Sequence, residues 1–217
     1  MNSSMMLAGR RLSTRRGLAA VGICALGVLC ASAGAWAAAP MGGGAGGTCY
    51  ANVHDDSGAS AVSQSSRDDQ SINSRGAADF TLRRSCTVAL VEVIGAYSEP
   101  FGPANAETVT FYASQQSAPG AVISRQTVQG ADFEGDFTIP IGPVTFAPGT
   151  YFVSVVVHMQ KASGGVWYWK LTNNVKGGID QWENPGGGLS TCTTWGDVGT
   201  CTGRPQAQLD FMVALYG

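Results

Sequence analysis

TYFVSVVVHM, residues 150–159, is the densest β-forming stretch of the chain, with seven of its ten residues β-branched or aromatic. Such side chains suit a pleated, buried surface, and Pro148-Gly149 turns the chain directly into it. Upstream, residues 86–97 (CTVALVEVIGAY) alternate, with Val88, Leu90, Val93 and Ile94 on apolar faces and Glu92 outward. Residues 107–113 (ETVTFYA) alternate again, Val109 and Phe111 against Thr110 and Tyr112. A turn over 117–120 (SAPG) leads to extended patterns at 121–128 and 133–141. Downstream, Gly164-Gly165 breaks the chain before 166–171 (VWYWKL), and 208–216 (QLDFMVALY) reads as the closing strand. Residues 49–79 are polar, with Val53, Val62 and Ile72 as aliphatic anchors, and predict one or two short edge strands. No window beyond the first forty residues has helical periodicity. The pattern predicts an all-β fold: an antiparallel, jelly-roll-like sandwich of eight or so strands.

The amino terminus has a different character. Arg10, Arg11, Arg15 and Arg16 precede an apolar run at 17–30 and the small-x-small triplet Ala35-Trp36-Ala37. This is the layout of an export signal over 1–37, cleaved after Ala37. Arg15-Arg16 leaves the twin-arginine route open beside the general secretory one. Leu29 before Cys30 is wrong for a lipoprotein peptidase. A Gly-rich leader, 38–48, then joins a single domain, 49–217. The expected product is secreted or periplasmic, and it is not an integral membrane protein after cleavage.

Nine Lys and Arg face fifteen Asp and Glu beyond Ala39, a net charge of −6. That balance offers no footprint for nucleic acid. Cys24 and Cys30 leave with the signal, so four cysteines remain, with three pairings open to them. Cys192–Cys201, stapling a short loop, and Cys49–Cys86, tying the first segment to an early strand, are the expected pairs. Zinc is the competing reading, and no pair has the Cys-x2-Cys spacing it prefers.

GGVWYWKLTNN (164–174), QWENPGGG (181–188) and CTTWGDVGTC (192–201) together carry a likeness. With GAADF (76–80) and APGTYFV (147–153), they resemble a β-sandwich module of bacterial secreted proteins. That module often stands as a carboxy-terminal appendage to exported peptidases. The resemblance spans nearly all of 49–217 and implies architecture and an extracellular setting. It implies no catalytic residues. Ala78 departs from the second acidic residue such modules often show beside Asp79, which weakens a metal reading there.

Three residue sets invite a function. Trp167 and Trp169 share one strand face, with Tyr168 on the other, and core filling is the favoured reading for the pair. Trp182 and Trp195 lie on Gly-rich segments; if exposed, they would stack on a glycan while Asn173, Asn174, Gln181, Glu183 and Asn184 bond its hydroxyls. Asp55, Asp56, Asp68, Asp69 and Asp79 are hard oxygen donors of the type Ca²⁺ takes. Their spacing matches no fixed calcium motif, which favours solvated turn residues. Catalytic signals are poor: two histidines, His54 and His158, no nucleophile elbow, and no reason to single out a carboxylate pair such as Glu92 and Asp136. The resulting expectation is an exported, non-catalytic binding or adhesion module for a glycan or cell-envelope component. A polymer hydrolase and a structural envelope protein are the alternatives.

Overall fold

A computed structural model describes residues 47–204 and 208–217. The expected export signal, 1–37, and nearly all of the expected leader, 38–48, lie outside the described residues. The first half of the domain contains β1 (Thr48–Asn52), β2 (Asp56–Val62), β3 (Gln64–Ser65), β4 (Arg75–Leu82), β5 (Cys86–Val93), β6 (Gly95–Tyr97) and β7 (Ala106–Gln115). The centre contributes β8 (Ala118–Val128), β9 (Ala131–Phe133), β10 (Asp136–Phe146) and β11 (Gly149–His158). The last part adds β12 (Trp167–Thr172), β13 (Gln181–Glu183), β14 (Gly196–Asp197), β15 (Asp210–Phe211) and β16 (Val213–Tyr216). Among the described residues, helix is confined to short turns such as Lys161–Gly164 and Val198–Cys201. None of the described helices is long and apolar enough to cross a membrane.

The fold is an antiparallel β-sandwich. One sheet runs β1-β16-β5-β10-β9 and the facing one β14-β13-β4-β11-β7-β8, with β3 added in parallel to the end of β11. A third group, β15-β12-β2 with β6, continues the first sheet. The chain bends at Ile94 and Met212, yet hydrogen bonding carries on: Ile94 N–H donates to Met212 O (3.2 Å), and Lys170 N–H to Ile94 O (2.9 Å). These bends account for two of the strands by which the sixteen described exceed the eight or so expected; short pieces such as β3, β9 and β14, and β1 to β4 in place of one or two edge strands, supply others. Residues 86–97 and 208–216 read as single strands by pattern, and each is divided in two. Val88, Val91 and Val93 reach the core, whereas Leu90 and Ile94 are only half-buried. The turn expected at 117–120 falls earlier, on Gln116 and Ser117, whose φ values of 51° and 62° give the primed hairpin twist.

Aromatic rings from both sheets meet inside. Phe80 of β4 and Phe111 of β7 pack on Phe146 of β10, with centroids 5.5 and 5.0 Å away. Trp167 and Trp169 are buried as expected, and Trp169 lies 4.4 Å from Phe211. Each indole N–H finds an acceptor, Gly135 O at 2.7 Å and Met212 O at 2.9 Å. Gly95 is fixed by this packing, since a Cβ there would overlap the Trp167 ring.

Both expected disulfides are formed, Cys49–Cys86 with Cα atoms 5.9 Å apart and Cys192–Cys201 with 5.6 Å. Their sequence separations are 37 and 9 residues. Loop-closure entropy then assigns about 4 kcal/mol to the first and about 3 kcal/mol to the second. Denaturant melts of the two double Cys→Ala variants should show the larger loss for the Cys49–Cys86 pair.

Candidate functional site

Three buried aspartates converge at one side of the sandwich. Asp79 lies on β4, Asp180 immediately before β13, and Asp210 on β15. Each is at most 2% exposed, and one carboxylate oxygen from each lies within 4.8 Å of the others. The topology brings them together. β13 pairs with β4 only over Arg75 to Ala77, so the ladder ends before Asp79. Asp180 supplies the missing acceptor: its Oδ1 takes the Asp79 N–H at 2.7 Å. Its other oxygen takes the Phe211 N–H of β15, in the opposite sheet. One side chain thus bridges the two layers.

The other two carboxylates hold the 173–180 loop. Asp79 Oδ2 accepts the Gly178 N–H at 2.8 Å, and Asp210 Oδ2 accepts the Lys176 N–H at 2.6 Å. Asn52 adds an Nδ2 donor to Asp210 (3.3 Å) and to Asn174 O (2.8 Å). A Cβ on Gly177, whose φ is +109°, would run into Asp79 Oδ2, so the loop lies flat on the acid only as glycine. After these contacts Asp79 Oδ1 and Asp210 Oδ1 are buried without a hydrogen-bond partner. Buried oxygens are normally satisfied, so the pair stands out.

The electrostatics follow from burial. Asp180 is pushed well above the usual carboxylate range, first by burial and then by the Asp210 charge. Asp210 is pushed up to about 6, mainly by burial, while the Lys176 N–H and ammonium act the other way. The Tyr50 phenol is raised by burial and by all three carboxylates, so it stays a donor, 3.5 Å from Lys176 O. The Lys176 ammonium is directed to Ala51 O at 2.8 Å. The cluster is made of carboxylates and includes no cysteine or histidine, the donor chemistry of a hard cation.

Of the five aspartates singled out by sequence, only Asp79 joins this cluster. Asp55 is exposed, and Asp56 closes a turn onto Gly58 N–H and pairs with Lys170 at 3.3 Å. Asp68 caps the 161–164 turn by accepting from Lys161 and Ala162 N–H, and Asp69 binds the Lys161 ammonium at 2.7 Å. Ala78 points into the core, and the acidic neighbours of Asp79 come from far along the chain. Asp180 and Asp210 escaped sequence reasoning. The signal was an acid inside the apolar run QLDFMVALY, where a solvated charge has no place.

The tryptophan set is mostly internal. Trp182 is 2% exposed and donates its indole N–H to Val62 O at 2.7 Å. Gln181 and Glu183 are buried, Glu183 paired with Arg75. Asn184 is fully enclosed, donating to Ser71 O and Asn73 O and accepting from Leu189 N–H. Trp195 is half-buried, edge-on to Tyr112, with the Arg75 guanidinium 5.3 Å from its ring. Asn173 is exposed, while Asn174 bonds Asn52 through its amide. These seven residues do not form one open surface.

Exposed aromatics occur elsewhere. Phe101 is 62% and Phe133 77% exposed, on the 98–105 loop and at the β9–β10 hairpin. Tyr97 joins the two segments, its hydroxyl donating to Asp132 Oδ2 (2.6 Å) and accepting the Ala104 N–H (3.1 Å). A cleft of about 530 Å³ is lined by Arg67, Asn105, His158 and Gln160 together with Ala106 and Met159. His158 bonds Thr108 Oγ1 at 2.6 Å, and burial lowers its pKa. Glu92 accepts from Tyr216, and Asp136 from Gly95 N–H.

Compared with family models, curated proteins and solved structures, the chain matches none.

Asp180→Ala leaves two buried N–H groups without their acceptor. It should destabilise the domain by about 3–5 kcal/mol, measured by chemical denaturation, whereas Asp69→Ala, at a solvent-exposed turn, should leave the unfolding midpoint nearly unchanged.

Proposed function

We propose that the chain is an exported, disulfide-stapled β-sandwich that binds a glycan or cell-envelope component without catalysing a reaction. The observation that carries this reading is the pair of exposed rings, Phe101 and Phe133, on segments that Tyr97 ties together. Large apolar rings left in water on braced loops suit stacking against the C–H face of a sugar or an apolar envelope group. The likeness to secreted sandwich modules supports the same setting, as do two disulfides that an oxidising compartment preserves. A structural protein assembling through a sheet edge is the weaker alternative. The β8 edge is blunted where Gln126 bonds Gly142 of β10 through both its amide groups, at 2.6 and 2.9 Å.

Retention on a panel of immobilised polysaccharides and purified envelope fractions tests the reading. Phe133→Ala and Phe101→Ala should each weaken retention about tenfold, the worth of one stacked ring, with the melting temperature unchanged. Retention by nothing on the panel, or turnover of any polymer, would overturn it.

A further inference from the structure

We infer that Asp79, Asp180 and Asp210 form a calcium site that locks the 173–180 loop across the side of the sandwich. The three acids are at most 2% exposed, and their nearest oxygens lie within 4.8 Å of one another, a separation one ion spans by coordinating all three. Acidic clusters are common, but this one has bare, buried ligand atoms. Asp79 Oδ1 and Asp210 Oδ1 have no hydrogen-bond partner, while the second oxygen of each is anchored by a loop N–H, from Gly178 and Lys176. A metal site is built this way: outer hydrogen bonds orient Asp79 and Asp210 and leave each one oxygen for the ion, while Asp180, whose oxygens each accept one backbone N–H, contributes a remaining lone pair.

The donor set chooses the ion. Cysteine and histidine are absent from the cluster, so the site lacks the soft or imidazole donors of zinc. Magnesium demands near-ideal octahedral geometry and keeps its water; calcium accepts an irregular shell of carboxylate and carbonyl oxygens. Two clefts reach the cluster from either side of Gly177-Gly178, one of about 290 Å³ past Asp79 and one of about 320 Å³ past Asp210. They give an ion and its remaining waters a way in. The site is independent of the proposed Phe101–Phe133 surface and stands or falls without it.

The test uses the full chain with its disulfides intact, stripped with chelator and held at pH 7.5. Added Ca²⁺ should raise the melting temperature by roughly 5–10 °C at a hundredfold excess over its dissociation constant. Tb³⁺, a calcium mimic, should bind and emit on excitation of nearby Tyr50, and Ca²⁺ should quench that emission by displacement. The Asp79→Asn/Asp210→Asn variant keeps an oxygen for each loop N–H and removes like charge. In chelator it should melt no lower than the wild type, while losing both the Ca²⁺ shift and the Tb³⁺ signal. The inference is overturned if millimolar Ca²⁺ leaves the stripped protein unmoved, if the double variant responds like the wild type, or if Zn²⁺ or Mg²⁺ stabilises as well as Ca²⁺. A variant that fails to fold leaves the wild-type Tb³⁺ displacement to decide, and its absence is then fatal.

Discussion

A carboxylate enclosed between two sheets is tolerable only if both its oxygens are satisfied, and Asp180 meets that condition by joining the layers. It takes one backbone N–H from β4 and one from β15, strands of opposite sheets. Losing this acceptor would strand two buried donors away from water. The side of the sandwich where the β13 ladder stops is therefore sealed by a side chain in place of another strand. The loop that follows β12 has to pass over this seal. Its conformation is set there, through Lys176 and Gly178, and by the two glycines that let the backbone lie against Asp79.

Placing two further acids beside Asp180 works against stability unless something offsets them. Burial first, and then repulsion from neighbouring acids, push Asp180 and Asp210 toward protonation, and the Lys176 ammonium is directed to Ala51 O. A hydrophobic trio of similar volume would pack at lower cost. Such an arrangement makes physical sense where a charge is meant to be met by a counter-charge, and perturbed carboxylates clustered around unpartnered oxygens point the same way. On the proposed reading the domain acts outside the cytoplasm, where even calcium sites of millimolar affinity are used by extracellular modules.

Much of the architecture was legible because it rests on local pattern. The period-two alternation at 107–113 and the β-branched run at 150–159 map onto β7 and β11, and the Trp167/Trp169 pair lies in the core. Both cysteine pairs also follow from spacing and position. The bends at Ile94 and Met212 were not legible, because they arise where two strands cross from one sheet group to the next. The acid cluster was hidden for a related reason: Asp79 lies 101 residues before Asp180, Asp210 lies far beyond both, and only the folded register unites them. Asp55, Asp56, Asp68 and Asp69 attracted notice by crowding in sequence, yet crowding of that kind is what turns and caps use.

The aromatic residues carry the sharper lesson. Trp182 stood on a Gly-rich stretch and invited an exposed reading, but QWE is a short strand whose alternation turns the indole inward, where Val62 O accepts its N–H. An indole with a buried acceptor gains both area and a hydrogen bond from the core, so tryptophan beside glycine is no guide to exposure. Phe101 and Phe133 have no polar handle and sit instead in SEPFGP and ADFEGD, each enclosed by turn-forming residues. A turn cannot bury both its backbone and a large ring unless something covers it, and nothing among the described residues does so at these two positions. The ring type mattered less than its neighbours: aromatics inside long alternating runs fill the sandwich, whereas those in or beside tight turns face its surroundings.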